Sequence, residues 1–322
     1  MKLYFAPMEG ITGYIFRNAH YHHFKGIDRY FTPFITTHKN KELTSRERND
    51  ILPEHNEGIP LVPQILSNDG EDFAKTARLL YNMGYGEVNL NLGCPSKTVV
   101  TKQKGAGFLA EKERLNRFLD EIFNSMEGYS ISIKTRIGME SEDEWSDLLS
   151  IYNQYPIKEL IIHPRLQREY YTGTPHRMIW DEALKNSKNP VCYNGDLFTE
   201  TQMDAFVKEY RDTEAVMLGR GLLVDPGMAQ RWRTMDEKED DKKEYGWGRD
   251  YGVLQSFHDE IYEGYQRIMS GERNVLFKMK EIWFYFIHSF PATEKMMKKI
   301  RKAERLSDYN LAVQEIFFSV NE

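Results

Sequence analysis

With 322 residues, 40% of them hydrophobic and 13% aromatic, the chain is long and apolar enough for one large core or two medium ones. It has no apolar run of 18 residues, and the opening Met1-Lys2-Leu3-Tyr4-Phe5-Ala6-Pro7 is too soon interrupted for a signal peptide, so neither a membrane span nor export is expected. The net charge of −6 argues against nucleic acid binding over the whole surface but leaves room for a local basic face, and the two cysteines, 98 positions apart with no CxxC, give neither a disulfide framework nor a zinc site, so a reducing cytoplasm is expected.

Eight short β-rich runs follow in chain order: Leu3–Ala6, Tyr30–Ile35, Leu61–Leu66, Glu87–Leu90, Ser130–Thr135, Glu159–His163, Val191–Asn194 and Ala215–Gly219. Most are apolar on both faces, as parallel strands buried under helices should be. Between them, Asp69–Met83 carries Phe73, Ala77 and Leu80 at helical spacing behind an Asn68 or Asp69 cap. Glu111–Met126 places Leu115, Leu119 and Ile122 on one face. Thr199–Glu209 opens with Thr199 and has Gln202 three residues on, a capping-box spacing. Periodicity alone leaves a doubly wound open sheet as a competitor. The count of eight units over about 235 residues favours a (β/α)8 TIM barrel, typically roughly 250 residues long.

The character then changes. Asp236–Glu244 is a nine-residue charge run, read as a solvated linker or exposed helix end. Beyond it only helical periodicity is found, in Val253–Met269, Val275–Phe290, Thr293–Ala303 and a last helix from Ser307. The expected organisation is an α/β barrel domain over 1–240 followed by a small all-helical domain over 241–322.

The strand ends carry the chemistry. In such barrels reacting groups sit at the C-terminal rim. Strand one ends in Pro7-Met8-Glu9-Gly10, strand three carries Gln64, strand four leads to Asn91 and Cys94, and strand five ends in Lys134 and Arg136. Strand six ends in His163 and Arg165, strand seven in Asn194-Gly195-Asp196 and strand eight in Gly219-Arg220-Gly221. Each has a bland explanation: Cys94 as a small buried residue, Gln64 as a loop partner, Lys134 and Arg136 as solvated, His163 as a satisfied core histidine, the glycine motifs as turns. Their coincidence points to function, since seven of eight strands deliver polar or glycine-rich groups to one rim and none does so in mid-strand. Gly219 and Gly221 suit a phosphate approached by backbone N–H groups, with Arg220 adding charge. Lys134 and Gln64 suit a flat hydrogen-bonding ring such as a flavin, whose reduced anion a cation stabilises.

Together these residues resemble the dihydrouridine synthases, flavin enzymes that reduce uridine in RNA, usually tRNA. Ala6-Pro7-Met8-Glu9-Gly10 is similar to that family's opening motif, with Glu9 where a small residue is more usual. Asn91-Leu92-Gly93-Cys94-Pro95 and Gly105-Ala106-Gly107 match its active-site loop, and Ile133-Lys134-Thr135-Arg136-Ile137-Gly138 its strand-five motif. His163-Pro164-Arg165, Tyr171-Thr172-Gly173 and Trp180 match strand six and its loop, and Asn194-Gly195-Asp196 and Gly219-Arg220-Gly221 complete the set. Pro164 and Leu166 depart from the small residue and threonine usual there, which places the substrate position in question more than the chemistry.

The resemblance implies FMN reduced by NADPH, with hydride passing to uracil C6 and Cys94 protonating C5 as a general acid. It implies a cofactor set of Pro7, Met8, Gln64, Lys134, His163, Asn194, Gly195, Asp196, Gly219 and Arg220. Asn91, Arg136 and Arg165 would contact substrate, with Asn91 orienting the uracil or the flavin. Between Glu272 and Arg305 nine basic residues oppose four acidic ones, a local +5. Lys295, Lys298, Lys299 and Lys302 share one helical face, read either as a phosphate-tracking surface through Lys298 and Lys302 or as a solvated face. The expected protein is a cytoplasmic, metal-free monomer acting on tRNA. Alternatives are the same chemistry on ribosomal RNA, a flavin barrel acting on a small pyrimidine, a non-catalytic RNA-binding relative, and an aldolase using Lys134 as a Schiff-base amine.

Overall fold

The computed structural model describes residues 1–37, 39, 43–236, 249–291 and 294–321. The charge run therefore lies, beyond Asp236, outside the described residues, as does Thr293 at the head of its expected helix. The chain divides into two compact units, Met1–Glu9 with Asp28–Asp196 and Val207–Leu218, and Gly10–Ile27 with Leu197–Phe206 and Gly219–Glu322.

The first unit is the barrel. Its strands are β1 (Lys2–Phe5), β2 (Arg29–Phe31 and Ile35–Thr36), β3 (Leu61–Val62 and Gln64–Leu66), β4 (Val88–Leu92), β5 (Ile131–Arg136), β6 (Leu160–His163), β7 (Val191–Tyr193) and β8 (Ala215–Leu218). All eight expected runs are strands, and every pairing is parallel. β2 and β3 are each broken beside a proline, Pro33 and Pro63, which has no N–H to give a ladder. Thr32 spans the gap: its N–H donates to the Val62 carbonyl (3.2 Å), and its hydroxyl accepts from the Gln64 N–H (2.9 Å). The halves pair in order, Tyr30 opposite Leu61 and Ile35 opposite Ile65. With β8 paired to β1 and β1 to β2, the sheet closes into a ring of eight.

Helices run in chain order as α1 (Tyr14–His23), α2 (Ser45–Ile51), α3 (Gly70–Asn82), α4 (Lys97–Val100), α5 (Lys112–Ser125), α6 (Glu144–Tyr152) and α7 (Arg177–Asn186). They continue as α8 (Glu200–Glu209), α9 (Arg220–Val224), α10 (Met228–Asp236), α11 (Tyr251–Ile268), α12 (Glu272–Phe286), α13 (Glu294–Lys302) and α14 (Leu306–Asn321). Local chemistry sets their starts. The Asp69 side chain accepts from the Asp72 N–H at 2.9 Å, and Thr44 with Glu47 forms a reciprocal capping box on α2. On α8 the Gln202 N–H donates to the Thr199 hydroxyl (3.2 Å), while the Gln202 side chain reaches the Phe198 N–H (2.7 Å), one residue earlier than a capping box requires. α5 buries Leu115, Phe118, Leu119 and Ile122, each worth about 1.5–3 kcal/mol of apolar burial.

The second unit is helical and aromatic. Phe16 and Phe24 of the α1 region pack edge-on against Phe257 of α11, with ring centroids 5.4 and 5.2 Å away. The Tyr309 hydroxyl accepts from the Trp283 indole (2.8 Å) and donates to His258 Nε2 (2.6 Å), satisfying three buried polar groups at once. No helix among the described residues is long and apolar enough to cross a membrane.

Candidate active site

The barrel interior has two kinds of wall. Asn91, Lys134, Ile161, Cys192 and Ala215 are register partners in turn from β4 to β8, so they share the inward face. Ile161, Cys192 and Ala215 belong to an apolar cluster with Tyr4, Phe31, Val62 and Met217. The β3–β5 sector is polar: Gln64, Asn89 and Ser132 lie side by side in register, with no exposed surface, and Asn91 and Lys134 stand one step above. Contrary to the sequence expectation, several polar groups therefore sit within strands, Lys134 being fourth of six residues in β5. Period-two alternation lets these strands bury the interleaved Leu90, Leu92, Ile131 and Ile133 on the helix side.

At the end of β4, the Asn91 carboxamide builds the turn that carries Cys94. Its oxygen accepts from the N–H groups of Gly93 (3.0 Å) and Cys94 (2.9 Å), and its nitrogen donates to Gln64 Oε1 (2.7 Å). Asn91 thus spends these bonds on the loop, a use that its place in the motif did not reveal. The chain after α4 folds back so that the Ala106 N–H donates to the Cys94 carbonyl (3.0 Å). Gly105 (φ +57°) tolerates this approach because a Cβ there would meet that carbonyl at 2.9 Å. Burial raises the Cys94 thiol pKa above its ordinary value; the Ser96 backbone, Arg136 and Lys134 pull it down, and Glu9 pushes it up. Glu9 is itself ion-paired with Arg46 at 2.5 Å.

Arg136 is buried and locks two loops together. Its guanidinium donates to the carbonyls of Gly93 (3.0 Å), Leu166 (2.8 Å) and Tyr170 (2.6 Å) and lies over the Tyr171 ring at 5.6 Å. Gln167 adds a bond to the Pro95 carbonyl (3.0 Å). Tyr170, so held, has φ +50°, a left-handed conformation that side chains rarely adopt.

Arg165 organises the β6 and β7 ends. It grips Asp196 bidentately (3.0 and 2.6 Å) and donates to the carbonyls of Thr172 (3.2 Å) and Gly173 (2.6 Å). It also meets His163 Nε2 at 3.2 Å. Arginine only donates, so that nitrogen accepts and the neutral ring's proton sits on Nδ1. Asn194 is buried and donates to the Met217 carbonyl (2.8 Å), while Gly195 leaves room for the Tyr193 hydroxyl, 2.1 Å from where a Cβ would stand. Pro7 and Met8 are half-buried at the end of β1.

Lys134 stands apart. No hydrogen bond or ion pair holds its ammonium among the described residues, and burial, then Arg136, lowers its pKa to about 8. An inward cation without an anion suits a bound group that brings negative charge or carbonyl acceptors, as a reduced flavin ring does. His163 and Asn194 add hydrogen-bonding groups at the β6 and β7 ends, so these residues fit such a group, whereas the Gln64 amide, expected on the ring, has no exposed surface and is bonded to Asn91 and Asn89.

The remaining expected residues belong to the second unit. Gly219 caps α9, a Cβ on Gly221 would meet the Leu197 carbonyl at 2.2 Å, and the Arg220 guanidinium lies over Phe198 at 5.4 Å. On α13, Lys295, Lys298, Lys299 and Lys302 are exposed opposite buried Met297 and Ile300. Lys298 pairs with Glu294 (3.5 Å) and Lys299 with Glu315, which reduces the net charge of that face. Asn89, Ser132 and Gln167 escaped prediction as site residues. The alternation Asn89-Leu90-Asn91-Leu92 was the available signal for the first.

A family model described as "Dihydrouridine synthase (Dus)" matches residues 4–319. The chain is 26% identical over 320 residues to the tRNA-dihydrouridine(16) synthase of Pseudomonas putida, covering 94% of each chain. It is 24% identical over 265 residues to tRNA-dihydrouridine synthase B of Pasteurella multocida, covering 82% of this chain and 78% of the relative. Among solved structures, morphinone reductase aligns with a TM-score of 0.52 at 11% identity, covering 73% of this chain and 86% of that one, a likeness of fold alone.

Proposed function

Because the chain belongs to the dihydrouridine synthase family and is an oxidoreductase, we propose that it reduces uridines in tRNA to 5,6-dihydrouridine, with FMN as cofactor and NADPH as reductant. FMN when bound supplies the hydride to uracil C6. Lys134 and His163 would hold its ring with Gln64 behind them, and Pro7, Met8, Asn194, Gly195 and Asp196 would contribute to its binding. For Gly219 and Arg220 the phosphate role rests on the motif. Cys94 Sγ–H delivers the proton to C5.

The observation that carries this reading is geometric: Asn91, which holds the Cys94 loop, lies in register beside Lys134, whose ammonium has no hydrogen-bond or ion-pair partner among the described residues. The acid needs Cys94 as thiol, and burial keeps it protonated at neutral pH. Asn91 fixes the backbone from which the thiol projects, and Arg136 ties that loop to the strand-six loop. Arg136 and Arg165 are spent largely on backbone and Asp196, so they shape the substrate-facing loops as well as contacting RNA.

The target base must leave its stack, which costs a few kcal/mol and favours loops over helices in RNA. Lys298 and Lys302 would track phosphates, with the barrel functions in 1–240 and RNA contacts in 241–322, in a cytoplasmic monomer. The test is incubation of purified protein and NADPH with unmodified tRNA, ribosomal RNA and free uridine, each analysed by mass spectrometry. Dihydrouridine in tRNA alone supports the proposal; reduction of free uridine alone overturns it.

A further inference from the structure

Resting on that reading, we propose that Asn89 and Ser132 are positioning residues for Cys94, acting through a one-way relay of side-chain amides beneath its loop. The relay begins where the Cys94 N–H donates to Asn91 Oδ1 (2.9 Å). Asn91 Nδ2 donates to Gln64 Oε1 (2.7 Å), Gln64 Nε2 to Asn89 Oδ1 (2.8 Å), and Asn89 Nδ2 to Ser132 Oγ (2.9 Å).

Every donor points from the loop into the barrel wall. Bonds aligned this way polarise one another. The alignment also fixes orientation. Flipping the Asn89 amide would set two donors face to face at Gln64, so each member dictates the next. Strand register supplies the spacing, since Gln64, Asn89 and Ser132 are direct partners across β3, β4 and β5. Gln64 is also held by its backbone N–H on Thr32.

None of Gln64, Asn89 and Ser132 has exposed surface, so water cannot readily replace a lost partner. One step above, the row that starts at Asn91 and Lys134 runs on into the apolar Ile161, Cys192 and Ala215. A wall needed only for packing would be apolar here too, because buried amides cost desolvation that apolar side chains avoid. What the amides add is direction. They hold Gln64 in one orientation and, through Asn91, hold the Cys94 backbone.

The test uses two substitutions of one residue. Asn89→Leu cuts the relay on both sides. Asn89→Asp still accepts from Gln64 and lets the Ser132 hydroxyl turn and donate. Three quantities are followed on the full-length protein: the pH profile of Cys94 alkylation by iodoacetamide, with buried Cys192 as internal reference; the kcat and KM for dihydrouridine formation; and flavin bleaching by NADPH. Asn89→Leu should lower kcat by tenfold to about 100-fold, as a misplacement near 1 Å does, with KM for tRNA little changed. It should also shift the alkylation profile, and Asn89→Asp should restore both.

A wild-type kcat and alkylation profile in Asn89→Leu, or equal impairment in Asn89→Asp, overturns the proposal. Should Asn89→Leu fail to fold, Ser132→Ala removes one oxygen at the relay's end. It should shift the alkylation profile in the same direction, and an unchanged profile there is equally contrary. Alkylation needs neither RNA nor cofactor. A shifted profile without dihydrouridine in wild-type protein would therefore separate failure of the functional reading from failure of the relay.

Discussion

Removing the Asp196 carboxylate should destabilise the barrel far more than an ordinary surface substitution. Arg165 has no exposed surface, and Asp196 grips it through both oxygens while itself about a quarter exposed at 26%. Breaking a buried pair from one side costs about 3–5 kcal/mol because a charge is left without compensation. Water reaches Asp196, so the lower end applies, about 3 kcal/mol out of a total stability of roughly 5–15. Asp196→Ala should therefore lower the urea midpoint markedly. Arg165→Met combined with Asp196→Ala removes both charges. Thr172 and Gly173, whose carbonyls Arg165 holds, are exposed and can turn to water. The double variant should thus recover much of the loss, a coupling readable from the mutant cycle. A single variant within about 0.5 kcal/mol of wild type, or a double variant no better than the single, would refute the reasoning.

Three further outcomes are expected. His20 is buried against the Pro226 carbonyl, and burial lowers its pKa to about 3, below the 6.5 of the unfolded chain. The unfolded state therefore takes a proton that the folded state refuses, and stability should fall by about 1.4 kcal/mol per pH unit below 6.5; denaturation of His20→Phe across that range should lack this slope. Turnover should be flat at neutral pH, since Cys94 stays protonated, and should decline as pH rises through about 8, where Lys134 loses its charge; the fall should move upward in Lys134→Arg, and a profile unchanged in that variant would exclude Lys134 as its origin. Lys298→Glu with Lys302→Glu should weaken tRNA binding and reduce the salt slope by about 2, with affinity equal to wild type at low and high salt as the contrary result.

The barrel was legible because buried parallel strands announce themselves as short apolar runs, and Val191–Tyr193 and Ala215–Leu218 needed nothing more. The breaks at Pro33 and Pro63 were written in the sequence too, but Thr32, which bridges them, reads there as one more β-branched residue. The rim residues were found by type, while their partners were not. Arg165 and Asp196 meet across 31 positions and Gln64 and Asn91 across 27, separations that no local pattern encodes. Asn89 and Ser132 were passed over because a polar residue inside an apolar run looks like an interruption; only the register shows the two side by side. Residues 10–27 were assigned to the barrel by chain order, yet they join the compact unit that holds the C-terminal helices, through rings such as Phe16 on Phe257.

The most direct test of the account is the dihydrouridine content of unmodified tRNA after incubation with NADPH and either wild-type protein or Cys94→Ala, measured by mass spectrometry with flavin content recorded for both. The account predicts equal flavin, dihydrouridine with wild type and most of it lost in the variant. Undiminished dihydrouridine from Cys94→Ala would contradict the acid role on which the reading of the site depends.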